Sequence, residues 1–345
     1  MPNRTEQLCN WLSSHLPENE EHKPSLESVA GDASFRRYFR VKNAHSKSFI
    51  VMDAPPEKED CHPFVQITEA WRAQGVRLPE IFAKDLDHGF LILEDFGDTL
   101  LFQTVDNKDT DVQRKIYTSA IQSLNEIQAL SGVQELPPYN RALLLRELEL
   151  LTDWLIAKAL NITLNRNEQE VISAAFELLI DNALSQPKCA VHRDYHSRNL
   201  MALPTGDIGI IDFQDAVYGP ATYDLASLLR DCYIQLDKSL VTELCLLYRQ
   251  ASPIRQIREM EESTFLKQFD LMGIQRHMKA AGIFARLALR DGKFGYLNDI
   301  PRTFNYILEN SERYEELKEL HVLLKSRIEQ PMLDFVKAQQ GKNTP

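Results

Sequence analysis

With 345 residues, 43% of them hydrophobic, the chain is long enough to bury a substantial core, and its length suggests about two domains or lobes that need no covalent staples. A net charge of −11 disfavours binding to phosphate backbones and anionic membranes, so neither nucleic acid nor a membrane is an expected partner, although a local cluster can still hold one anionic ligand. Five cysteines (Cys9, Cys61, Cys189, Cys232 and Cys245) show no C-x-x-C pair and no metal-type spacing, which points to reduced thiols rather than a disulfide framework. The opening MPNRTEQLCNWLSSHL has no continuous apolar core of the signal-peptide kind, and no stretch approaches about 18 apolar residues. A soluble cytoplasmic protein with no obligate protein partner is the expectation.

Residues 6–17 carry Leu8, Trp11, Leu12 and Leu16 on one stripe and predict a short amphipathic helix. Tyr38, Phe39 and Val41, then Phe49, Ile50 and Val51 across the polar 43–47 segment, predict a hairpin. After Pro55-Pro56 the helical period returns over 63–74, and Val76-Arg77-Leu78-Pro79 and Phe90-Leu91-Ile92-Leu93 predict two more strands. Beyond residue 103 the pattern is helical over 117–130, 142–160, 168–184, 224–252 and 265–289. The class read from this order is α+β, with a small β-rich lobe over 1–95 and a large helical lobe over 96–345.

The chemistry concentrates in VHRDYHSRNLM, 191–201, a polar loop between apolar anchors. Asn199 follows Asp194 by five residues, and the apolar run Ile208-Gly209-Ile210-Ile211 ends on Asp212. Two acids and an amide at the ends of a strand pair suit phosphoryl transfer. Asp194 would accept the proton of a substrate hydroxyl as the catalytic base, and Asn199 and Asp212 would hold Mg2+ beside a nucleotide. His192 is read as bracing the loop. His196 is open between loop packing and a polar contact near the phosphates.

The runs HRDYHSRN (192–199), IDFQDA (211–216), Gly219-Pro220 and Tyr223-Asp224-Leu225-Ala226 resemble the aminoglycoside phosphotransferase and choline kinase group of small-molecule kinases. Within it, GDASFRRYFR (31–40), MDAPPE (52–57) and the segment 269–277 are similar to the bacterial anomeric kinases for N-acetylmuramate and N-acetylglucosamine that serve peptidoglycan recycling. The resemblance implies a bilobal protein-kinase-like fold that uses ATP and Mg2+ to phosphorylate the C1 hydroxyl of an amino sugar. It also implies a loop-bracing carboxylate at Asp224 and adenine contacts near Glu94, Asp95 and Phe96, a stretch that reads equally as a solvated turn. The alternatives are a kinase of the same fold for an aminoglycoside or amino alcohol, and a non-catalytic nucleotide-binding scaffold. A cationic acceptor would call for clustered carboxylates, for which Glu147, Glu149 and Asp153 are available.

One departure stands out. Kinases of this fold carry a lysine in the third strand that contacts the phosphates and pairs with a helix glutamate, but here Met52 occupies that place and leaves Glu69 as the unmatched helix acid. Lys47, or Arg36 and Arg37 beside Ser34, could supply the charge instead, the arginines otherwise being solvated strand-edge residues. For the acceptor, Arg276 and Lys279, three apart on one predicted helix, with Arg286 further along it, are candidates for an acidic substituent, against the reading of a solvated basic face. Asp215 and Tyr218 are open between acceptor contact and turn.

Overall fold

The computed structural model describes residues 3–17, 25–29, 35–105 and 109–340. In chain order these form α1 (Arg4–His15), β1 (Glu27–Val29), β2 (Arg37–Lys42), β3 (Ser48–Asp53), α2 (His62–Arg72), β4 (Ile81–Asp85), β5 (Phe90–Glu94), α3 (Leu101–Thr104), α4 (Thr110–Gln128), α5 (Arg141–Leu150) and α6 (Arg166–Ser185). There follow β6 (Lys188–Val191), β7 (Leu200–Ala202), β8 (Ile208–Ile210), β9 (Val217–Pro220), α7 (Tyr223–Leu229), α8 (Lys238–Ala251), α9 (Arg255–Glu259), α10 (Glu262–Asp291), α11 (Ile300–Ser311), α12 (Lys318–Leu323) and α13 (Glu329–Gln340). The class is α+β, an antiparallel sheet followed by a mostly helical remainder. Two compact units divide the chain: Met1–Thr104 with Arg198–Asp215, and Val105–Ser197 with Ala216–Pro345. Among the described residues no helix is long and apolar enough to cross a membrane.

In the first unit the sheet has the order β1-β2-β3-β5-β4 among the described residues. Helix α1 starts at a capping box in which Asn3 and Glu6 exchange side-chain and backbone bonds at 2.9 Å. Its stripe of Leu8, Leu12 and Leu16 is buried with Val41, Phe49, Val51, Phe90 and Ile92 of the sheet, and each such side chain is worth roughly 1.5–3 kcal/mol in transfer from water. Residues 76–79 are not the predicted strand: the Val76 N–H bonds back to Trp71, the Arg77 carbonyl accepts from Ile210, and the fourth strand begins at Ile81. Pro79, with no N–H to give, closes this segment off from the ladder. The β7–β8 hairpin is tied in by the Ala202 N–H to Thr99 and by a bridge between Leu100 and Met201. At its turnaround face, a Cβ on Gly209 would stand 2.6 Å from the Phe96 ring, so only glycine lets this strand lie on that ring.

In the second unit α10 is the central element, packing on α5, α6, α7 and α11. A Cβ on Gly282 would come within 2.3 Å of the Leu150 carbonyl carbon, so α10 touches backbone where α5 passes into the wider π-helical turns of Leu151–Ala159. The predicted helix over 224–252 is broken. Arg230 leaves helical geometry (φ −122°, ψ 54°), Asp231 bonds backbone N–H groups instead of continuing the helix, and Asp237 caps α8 anew through Ser239.

Candidate functional site

The loop after β6 is held by side chains that take up its own backbone groups. Strand β6 pairs with β9 from Lys188 to Val191. Where it ends, Asp224 at the start of α7 accepts the His192 N–H at 2.6 Å and the Arg193 N–H at 3.0 Å. Those two bonds hold Arg193 in the left-handed region (φ 76°), which a non-glycine residue adopts only under such constraint. Burial pushes the Asp224 carboxyl up to about 6 despite these donors. The Asp194 N–H meets His192 Nδ1 at 3.3 Å, the Tyr195 hydroxyl donates to Ala120 at 2.8 Å, and the Ser197 N–H donates to Asp231 at 2.9 Å. Asp224 of α7, Ala120 of α4 and Asp231 beyond α7 thus fix the loop 192–197.

Asp194 faces a group of buried charges. Burial alone would raise its carboxyl, but Lys279 foremost, then His196, Arg193 and Arg276, outweigh burial and bring it down to about 2. Lys279 Nζ bonds to the Tyr223 hydroxyl at 3.0 Å and lies 3.4 Å from Glu147, which also receives Arg193 and the Tyr139 hydroxyl. Glu147 is 4% exposed, and Arg276 and Lys279 are 4% and 6% exposed, so the reading of a solvated basic face on this helix is corrected. The apolar period masked this, because α10 is covered around most of its circumference in its middle turns. Arg286 is part-buried, with its guanidinium lowered by burial.

The first unit brings Asn199 and Asp212 together, with Asn199 Nδ2 and Asp212 Oδ2 at 3.5 Å. Asp212 is exposed and in the left-handed region (φ 63°), and Gln214 Nε2 donates to its other oxygen at 2.9 Å. Phe213 between them is fully buried and stacks on Phe64, so the backbone twist turns the apolar ring inward and the carboxylate outward. Among the described residues no group of three or more His, Cys, Asp or Glu gathers as a metal cage. A carboxylate beside an amide side chain, whose oxygen can serve as a ligand, fits an ion such as Mg2+ that would take its remaining ligands from phosphate and water.

Met52 is fully buried, paired across the sheet with Tyr38 and Leu91. Lys47 lies over the Phe49 and Phe82 rings, and Glu69 pairs with Lys84 at the surface. Arg36 instead lies 3.3 Å from Glu59 and in the field of Tyr38 and Asp212, with burial pushing the Tyr38 hydroxyl up to about 12. Arg37 is bound to Asp53, and Ser34 lies outside the described residues. Glu94 is committed to Arg77, whose guanidinium also covers the Phe96 ring. Asp215 is exposed and Tyr218 half-buried in β9.

A model of the phosphotransferase enzyme family matches residues 25–260. The chain belongs to this phosphotransferase enzyme family. It is 41% identical to an N-acetylmuramate/N-acetylglucosamine kinase of Pseudomonas putida over 93% of this chain and 96% of that protein. A kinase of the same name from Neisseria meningitidis is 39% identical over 92% of this chain and 94% of that one. Among solved structures, an ethanolamine kinase of Plasmodium vivax superposes with a TM-score of 0.60 at 13% identity, covering 82% of this chain and 81% of its own. At that identity the likeness shows the fold, which is protein-kinase-like. Sequence reasoning had no role for Asp231, and it treated Glu147 as available to a substrate rather than as the counter-ion of Arg193 and Lys279. Neither residue carries a motif, since Ser197 lies 34 residues from Asp231, and Arg193 and Lys279 lie 46 and 132 residues from Glu147 along the chain.

Proposed function

We propose that the chain is an ATP- and Mg2+-dependent sugar kinase that phosphorylates the anomeric hydroxyl of N-acetylmuramate or N-acetylglucosamine. Asp194 accepts the hydroxyl proton as the sugar oxygen bonds to the γ-phosphorus, and the bond from that phosphorus to the bridging oxygen breaks to release ADP. Asn199 and Asp212 would hold the metal, which would supply positive charge against the phosphates. Arg36, close enough to Asp212 to share its field, takes the part of the missing strand lysine. Asp224 and His192 keep the loop in place, and the 94–96 turn meets the base of the nucleotide.

The observation that carries the acceptor class is the charge around Asp194. Glu147 is already neutralised by Arg193 and Lys279, while Glu149 and Asp153 are exposed. An aminoglycoside or amino alcohol would bring a further cation towards buried cations, and like charges there are costly. A neutral or acidic sugar meets no such penalty, which agrees with the names of the relatives. Product NMR after incubation with ATP, Mg2+ and each sugar tests this. A phosphate coupled to C1 is expected for at least one of them, and transfer only to an amino alcohol or aminoglycoside would overturn the proposal.

A further inference from the structure

The loop 192–197 and helix α10 share an oddity around Asp194. Among their buried polar atoms without a hydrogen-bond partner are His196 Nδ1, Ser197 Oγ, Gln275 Oε1 and Arg276 Nε. Buried polar atoms of this kind are rare, and each calls for a partner. Arg276 is the extreme case. It is 4% exposed, its Nη1 donates to the Cys232 sulfur at 3.5 Å, and although it lies in the field of Asp231 and Asp194, no ion pair to it forms among the described residues. A buried guanidinium with no direct ion pair and an unpartnered Nε is expensive to keep. The neighbouring cations are not in this position: Lys279 has Tyr223 and Glu147, Arg193 has Glu147, and Arg230 has Asp270. Asp231, whose charge Arg276 feels, spends both oxygens on the N–H groups of Tyr233 and Ser197.

The geometry points to Arg276 as the receptor for a carboxylate on the acceptor sugar, so that this residue sets the preference for the acidic sugar over its neutral counterpart. The inference rests on the proposed function and names the subsite within it. N-acetylmuramate differs from N-acetylglucosamine by a lactyl ether at O3, whose carboxylate is one sugar-ring width from the anomeric oxygen. With that oxygen at Asp194, the carboxylate falls among groups close to Asp194, and Arg276 is near enough to bias the Asp194 charge. A guanidinium forks onto a carboxylate with two parallel bonds, which Lys279, already engaged, does not offer. Gln275, beside Arg276 and in reach of Glu147 at 3.5 Å, is left with an acceptor oxygen for a hydroxyl or acetamido N–H of the sugar.

The test compares N-acetylmuramate, its methyl ester and N-acetylglucosamine as acceptors. With the wild-type enzyme, esterification should raise KM by about 10- to 100-fold, the worth of a hydrogen bond to a charged partner. Arg276→Gln should lower kcat/KM for N-acetylmuramate much more than for N-acetylglucosamine and erase the difference between acid and ester, and Arg276→Lys should restore part of it. A wild type that accepts the ester as well as the acid overturns the inference alone, whatever becomes of the variants. Equal losses for both sugars in Arg276→Gln would likewise overturn it, as a structural role. A wild type that phosphorylates neither sugar takes the proposed function down with it.

Discussion

At the scale of single residues, the odd feature of Asp194 is that its surroundings make it a poor base. Efficient general bases have affinities for protons near the working pH, yet the cations around Asp194 hold it at about 2. For transfer through a loose transition state, a carboxylate that orients the hydroxyl and takes its proton late is sufficient. Asp194→Asn should therefore cut kcat by about 10²- to 10⁴-fold, with nucleotide affinity by calorimetry unaltered. A depressed carboxylate stays charged in the fold above about 2, and its contribution to stability is present above the unfolded value near 3.9 and fades as pH falls through about 2. The wild-type pH profile of kcat/KM should accordingly show no acid limb assignable to Asp194 in the neutral to mildly acidic range. An acid limb near pH 5 that disappears in Asp194→Asn would contradict the arrangement of charges described for it.

At the scale of elements, contact between α10 and the end of α5 decides how the second unit packs. Gly282→Ala offers up to about 1 kcal/mol in helix propensity, but its Cβ would lie 2.3 Å from the Leu150 carbonyl carbon and 2.4 Å from the oxygen. Backbone cannot step aside as a side-chain tip can, and overpacking of this kind costs about 1–3 kcal/mol or more. The clash should win, and thermal unfolding should show a lower melting temperature; a higher one would mean that the helices can move apart at no cost. This contact was not legible in the sequence, where Gly282 reads only as a weak spot in a helical period. The hairpin of β2 and β3 was legible, because alternation and a polar turn are local. So was the polar 192–199 loop between its apolar anchors, with Asp212 at the end of the next apolar run, because both are local patterns. The break after Leu229 was not, since Asp231 leaves the helix to bond Ser197 34 residues back along the chain, and no local pattern signals that. Nor could the pattern show that residues 198–215 group with the first unit, because the Ile210–Arg77 and Ala202–Thr99 bonds are long-range.

At the scale of the whole molecule, stability comes from burial and internal charge pairing without covalent links. Cys61, Cys189, Cys232 and Cys245 are buried and unpaired, and Cys9 is half-buried on α1. Burial raises the four buried thiols, so they are protonated and shielded at once. A chromogenic thiol reagent should titrate no more than Cys9 in the folded protein and all five cysteines once denatured, and reductant should leave the melting temperature unchanged. Rapid reaction at all five in native buffer would show that both units open readily. The thioether of Met52, sealed between Tyr38 and Leu91, has a practical corollary. Reagents that tag kinases by acylating an ammonium group on the third strand find no nucleophile there, so activity-based surveys built on that reaction would pass over this enzyme even while it is turning over.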